Sequence, residues 1–142
     1  MNMKDERQFV GYSKYRSRLV DGHVHTELCS HGSGDRTALM IEKAIELRIE
    51  KVCLTEHAPL PKAFAAEYGG DQKAYDTASL KLNQVDTYLE LGRQLQRAYG
   101  THIDISLGFE VDYIPGFEAD IQEFLDRYGP LTDDNILSVH FM

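Results

Sequence analysis

Four apolar runs, each ending in a histidine or an acidic residue, alternate with three amphipathic patterns along this chain. Strand, helix and strand in repeated alternation require parallel strands joined by right-handed crossovers, so the expected fold class is α/β. The strands are predicted at about 19–24, 51–55, 102–109 and 136–139, and the helices at about 35–48, 80–99 and 117–128. In the first helix Ile41, Ala44, Ile45 and Ile49 form an apolar stripe opposite Glu42, Lys43, Glu46 and Glu50. Val85, Tyr88, Leu89, Leu95 and Tyr99 do the same in the second, and Phe117, Ile121, Phe124, Leu125 and Tyr128 in the third. Gly100 and Gly129-Pro130 are the expected helix stops.

The ends of the strands carry the chemistry. Asp21-Gly22-His23-Val24-His25 closes the first run, and alternate residues of a strand share a face, so His23 and His25 point the same way. Two imidazoles on one face can chelate a divalent ion, and His31 follows a short loop later. The second run ends in Glu56-His57, the third in Glu110 and Asp112, and the fourth in His140. Five of the six histidines therefore sit at the same end of successive strands. In a β/α barrel those ends converge on one face, where active sites are built. A structural zinc site would close with four ligands and often uses thiolates; this larger set of N and O donors fits a multinuclear hydrolytic centre instead. Asp112 is expected to share the strand face or to hydrogen-bond a neighbour, without binding metal itself. His102, at the opposite strand end, reads as a surface residue.

Other chemistries lack their marks: there is no G-x-S-x-G elbow, no H-E-x-x-H helix and no dinucleotide-binding glycine fingerprint. The turn His31-Gly32-Ser33-Gly34-Asp35 precedes the first helix, with Ser33 or Asp35 as the expected N-cap. Its glycines do not have phosphate-loop spacing, and a turn plus a cap explains them. A net charge of −8 argues against a nucleic-acid surface. No run approaches membrane-spanning length and no apolar signal core stands at the N-terminus, so neither a membrane nor a nucleic-acid partner is expected. Cys29 and Cys53 form no C-x-x-C pair and are read as core residues in a reducing cytoplasm. Residues 1–18 are expected to be a polar arm and 19–142 a single, partial domain. The long segment 58–79, with Pro59, Pro61 and Gly69-Gly70, reads as irregular, either a lid over the site or a poorly ordered excursion.

Five strings, taken in order, resemble the PHP (polymerase and histidinol phosphatase) superfamily, and within it the bacterial monofunctional histidinol-phosphatases. They are Asp21-Gly22-His23-Val24-His25-Thr26, Cys29-Ser30-His31-Gly32, Glu56-His57-Ala58-Pro59-Leu60, Gly108-Phe109-Glu110-Val111-Asp112-Tyr113 and Ser138-Val139-His140-Phe141. The resemblance implies the N-terminal part of a distorted (β/α)7 TIM-like barrel with up to three divalent ions (Zn, Fe or Mn). It implies that His23 and His25 bind one ion and that His31 and His57 bind a second. Glu110 would bridge the first ion to a third, which His140 would bind; Glu110 and His140 are the implied catalytic pair. The implied reaction is hydrolysis of L-histidinol phosphate to L-histidinol and phosphate in histidine biosynthesis, at ions that activate water and stabilise phosphoryl charge. Substrate-contact residues are not identifiable.

Members of the family continue well beyond this length and supply a further His and a late Asp-x-His pair as ligands, which this sequence lacks. Four strands cannot close a barrel, so an open edge with exposed apolar surface is expected, to be completed by a C-terminal half or by a second copy. A metal-dependent phosphatase, a non-catalytic metal-binding or interaction fragment, and a polymerase-associated exonuclease-like module are the readings carried forward.

Overall fold

The computed structural model describes residues 18–66 and 72–141. The polar arm expected over 1–18 therefore lies, but for Arg18, outside the described residues. Four parallel strands form one sheet in the order β1-β2-β3-β4: Val20–Val24, Lys51–His57, Asp104–Asp112 and Ile136–Ser138. They are separated by α1 (Thr37–Glu46), α2 (Gln72–Ala78) with α3 (Val85–Tyr99), and α4 (Glu118–Tyr128). The sheet curls into a half-barrel, the α/β architecture read from the sequence, and among the described residues both of its edges are open.

Alternation along the strands sorts side chains onto two faces. Val52 and Leu54 of β2 and Ile105, Leu107, Phe109 and Val111 of β3 pack into the main core with Ile41 and Ala44 of α1 and Val85, Tyr88, Leu89 and Leu95 of α3. Cys53, Thr55 and His57, with Ser106, Gly108, Glu110 and Asp112, are left on the concave face. Gly92 lets α3 lie close against β3, because a Cβ there would stand 2.3 Å from Leu107 Cδ1. A glycine inside a helix costs roughly 1 kcal/mol against alanine, so this close approach is what it provides. Tyr88, fully buried, aims its one hydroxyl proton between the backbone carbonyls of Gly108 at 2.6 Å and Leu54 at 3.0 Å and so ties α3 to both central strands.

Several elements depart from the sequence reading. Neither Ser33 nor Asp35 caps α1; its N-cap residue is Arg36, which makes no side-chain cap bond. Glu27 accepts instead from the Thr37 N–H, and Thr37 Oγ1 accepts from the Glu27 N–H at 3.2 Å, a reciprocal pair that ties the histidine loop to the helix. The helix ends with Arg48 at φ 59°, and the Ile49 N–H reaches back to the Ala44 carbonyl. Strand β2 runs two residues past its expected end and takes in Glu56 and His57, while β3 starts later and reaches Asp112. Segment 58–79 is not irregular throughout: it holds a 3-10 turn at Lys62–Ala66 and the helix α2. The expected second helix begins at Val85, behind a 3-10 turn at Leu82–Gln84, rather than at Leu80.

The apolar exposure expected of an unclosed barrel is present at both edges. Leu19 and Val20 at the start of β1 are exposed, as are Leu137 of β4 at 71% and Val139 just after it at 54%. Among the described residues no helix is long and apolar enough to cross a membrane.

Candidate metal centre

The strand register brings the side chains together. His57 stands opposite Glu110 in the β2–β3 ladder, Asp112 stands opposite Ser138 in the β3–β4 ladder, and β1 delivers His23 and His25 from the other side. Phe141 follows His140 and packs on Phe64 at 5.1 Å, in a second small core with Leu60, Ile114 and Phe117 that anchors the end of β4.

All six sequence-identified residues meet in one cluster. His23 Nε2 lies 3.0 Å from His25 Nε2 and 3.0 Å from Glu110 Oε2. His25 Nε2 lies 3.4 Å from that same oxygen. His31 Nε2 and His57 Nε2 are 3.2 Å apart, and His57 Nδ1 is 3.1 Å from Glu110 Oε2. His140 Nε2 is 3.6 Å from Glu110 Oε1. His102 is exposed near the opposite end of the sheet, as expected.

These separations match those between ligand atoms of one cation. With bonds of about 2.1 Å, two donors at a right angle lie about 3.0 Å apart and two at the tetrahedral angle about 3.4 Å apart. Two further observations fit a cation. His57 Nδ1 is buried without a hydrogen-bond partner among the described residues, since its contact with Glu110 is close but not aligned for an N–H bond. Glu56, Glu110 and Asp112 are all buried, and among the described residues their ion-pair partners are histidines, with no Lys or Arg. Three buried carboxylates without a fixed cation carry a large desolvation cost that bound metal would offset. The residues present therefore fit divalent metal.

The electrostatics follow the same geometry. The hydrogen bond to Glu56 raises the His25 pKa above 6.5, against the lowering effect of burial and with help from the charges of Glu56 and Glu110. Burial alone would raise Glu56, but bonds from His25, Thr26 and His57 hold it below the usual carboxylate value. Burial, then the neighbouring His25, pushes His57 down. Cys29 Sγ falls within 4.8 Å of ligand atoms of His25 and His57, yet burial raises its thiol pKa. The Cys29 side chain is itself buried, in keeping with the packing role read from the sequence.

One carboxylate keeps the part that the sequence reading gave it, and another gains one that it did not. Asp112 accepts from His140 Nδ1 at 2.7 Å and from Ser138 Oγ at 3.0 Å, so it is a hydrogen-bonding neighbour. Glu56, 1% exposed, contacts His25, Thr26 and the His57 backbone. The sequence around Glu56 carries no mark of this part, because the side chains that hold the carboxylate come from the segment after β1. The backbone carbonyl of Thr77, at the end of α2, accepts from His31 Nδ1 at 2.9 Å; nothing in the local sequence announces it.

The chain is 43% identical over 122 residues to a histidinol-phosphatase of Bacillus subtilis, a match covering 86% of this chain and 44% of that protein. A solved Listeria monocytogenes structure assigned as a histidinol phosphatase superposes with a TM-score of 0.84 at 41% identity, over 87% of this chain and 45% of the other. A histidinol phosphate phosphatase from Lactococcus lactis, solved with Zn, L-histidinol and phosphate, shares the fold at a TM-score of 0.66 and 23% identity, over 88% of this chain and 41% of that one. The chain thus spans less than half the length of the relatives it matches. The profile of the PHP domain matches residues 21–142, from the second residue of β1 onward, and with that span this chain belongs to the PHP domain family.

Proposed function

We propose that residues 19–142 are the N-terminal part of a PHP-type phosphatase and contribute most of a divalent-metal centre that hydrolyses a phosphomonoester, L-histidinol phosphate. The observation that carries this reading is the ring of histidine nitrogens closing on one buried carboxylate, Glu110. His23 and His25 would hold one ion, His31 and His57 a second, and His140 a third, with Glu110 bridging. Glu110 and His140 are the catalytic pair in this proposal. Bound divalent ions supply Lewis acidity toward a phosphoryl oxygen and lower the pKa of water. The chain's own residues orient that chemistry: Asp112 holds the His140 ring, Thr77 the His31 ring, and the curled sheet keeps the donors on its concave side.

Nitrogen and oxygen donors of this kind suit zinc, iron or manganese. The free, buried Cys29 and Cys53 fit a reducing, cytoplasmic setting, and the likeness to a histidinol-phosphatase supports a place in histidine biosynthesis. The apolar flanks at Val20 and Leu137 fit completion of the barrel by further strands, from a longer chain or from a second copy.

A second reading is favoured by the chain's 44% coverage of its Bacillus relative: a metal-binding part without turnover of its own. Phosphate release from histidinol phosphate by the zinc-loaded chain, abolished by chelator and by His25→Ala, is the result expected of the enzyme. Full zinc loading with no phosphate release would leave the second reading standing.

A further inference from the structure

We propose that Glu56 is a positioning residue that holds the imidazole of His25 in the one tautomer able to bind metal. The inference rests on the metal reading above, but the part of it that concerns Glu56 is carried by hydrogen-bond counting alone. An ionised carboxylate has four acceptor positions and no donor. Oε2 of Glu56 accepts from the Thr26 N–H at 2.9 Å and from Thr26 Oγ1 at 2.7 Å. Oε1 accepts from the His57 N–H at 3.1 Å and from His25 Nδ1 at 3.1 Å. Every acceptor position is filled, so Glu56 has none to offer a cation. Glu110 is the opposite case, since its oxygens face ring nitrogens of four histidines.

Because Glu56 can only accept, Nδ1 of His25 must carry the proton. In the neutral ring the lone pair is then on Nε2, the atom 3.0 Å from His23 Nε2 and 3.4 Å from Glu110 Oε2. Two strands are enlisted in this. Thr26, just beyond β1, pins one carboxylate oxygen with two bonds, and β2 supplies both the acid and the His57 backbone donor. The carboxylate therefore cannot rotate away to release the ring.

The test is Glu56→Gln, which keeps size and shape while exchanging one acceptor oxygen for a donor. The amide NH2 must then face either the Thr26 donors or the His25 and His57 N–H groups, so one set of bonds is lost or the His25 ring reverses its tautomer. In the zinc-free protein at about pH 8.5, above the imidazole range, long-range 1H–15N NMR should show His25 protonated on Nδ1 in the wild type. A reversed or mixed tautomer is expected in Glu56→Gln. Zinc affinity, read by competition with a chromophoric chelator, should fall about 10–100-fold, the usual effect of losing such a partner. A carboxylate that mattered only for folding would lower the melting temperature and leave zinc affinity and tautomer unchanged; that result overturns the proposal. Should Glu56→Gln fail to fold, the wild-type spectrum decides by itself, because a His25 proton on Nε2 is incompatible with the proposed role. A wild-type chain that took up no zinc would sink the metal reading separately, and the His25 tautomer would still decide the role of Glu56.

Discussion

Gly108→Ala should cut the fourth strand loose from the sheet. Gly108 lies on the concave face of β3 where the chain of residues 133–135 crosses it, and a Cβ built there would fall 1.4 Å from the carbonyl oxygen of Asp134. An ordinary contact needs about 3.5 Å, so the two segments must separate by about 2 Å. No rotamer change relieves this, since the obstacle is backbone. Three hydrogen bonds hold the segments together: Asp133 N–H to Leu107 O at 2.7 Å, Leu107 N–H to Asp133 Oδ2 at 2.9 Å, and Phe109 N–H to Asn135 Oδ1 at 2.8 Å. At about 1 kcal/mol net each, losing them costs about 3 kcal/mol. The loss of unfolded-chain entropy in a Gly→Ala change returns only about 0.5 kcal/mol. For a domain of this size the melting temperature should drop by roughly 10 °C. Thermal and urea denaturation followed by circular dichroism measure it, and the strand that carries His140 should loosen with it. A midpoint within about 2 °C of the wild type would refute the reasoning.

Gly92→Ala should be milder, about 1–2 kcal/mol, because its new methyl meets the movable end of Leu107 instead of backbone; urea midpoints of the two variants rank them. Arg48→Gly should be neutral or stabilising by up to about 1 kcal/mol, since Arg48 occupies the left-handed region at the end of α1; a clear loss of stability would count against that account of the helix end. The metal-free protein should be most stable near pH 6.5. His25, with its folded pKa raised, contributes stability that is present below 6.5 and lost as pH rises through the folded value. His57, with its folded pKa lowered, costs stability as pH falls below 6.5. Urea midpoints across the pH range check this, and a midpoint rising steadily above pH 7 would contradict the signs.

Much of the site was legible because a strand has a period of two. His23 and His25 had to share a face, and the repeated strand–helix order had to bring His57, Glu110 and His140 to one end. The apolar stripes of α1, α3 and α4 were equally plain. Helix α2 was not, because it is seven residues long with none fully buried, and the Tyr75 and Ala78 that pack on the second core are too few to show a period. The cap of α1 was missed because its partner, Glu27, lies ten residues away in the histidine loop instead of at the cap position. The expected end of β2 at Thr55 falls short of the observed one because Glu56 and His57 look like a loop to any local propensity. They belong to the strand because Thr26, His25 and Glu110 surround them. Positioning groups such as Glu56 and the Thr77 carbonyl exist only once separate segments meet, and no spacing along the chain encodes them.

Zinc uptake by the purified chain, counted by elemental analysis after dialysis and compared with Glu110→Gln, bears most directly on the claim that these strand ends form a metal centre. The expected result is stoichiometric zinc in the wild type, displaced by chelator, with at least one ion lost or bound much more weakly in the variant. Wild-type protein that is folded yet retains no zinc, iron or manganese, or a Glu110→Gln variant that retains all of it at equal affinity, would contradict the claim.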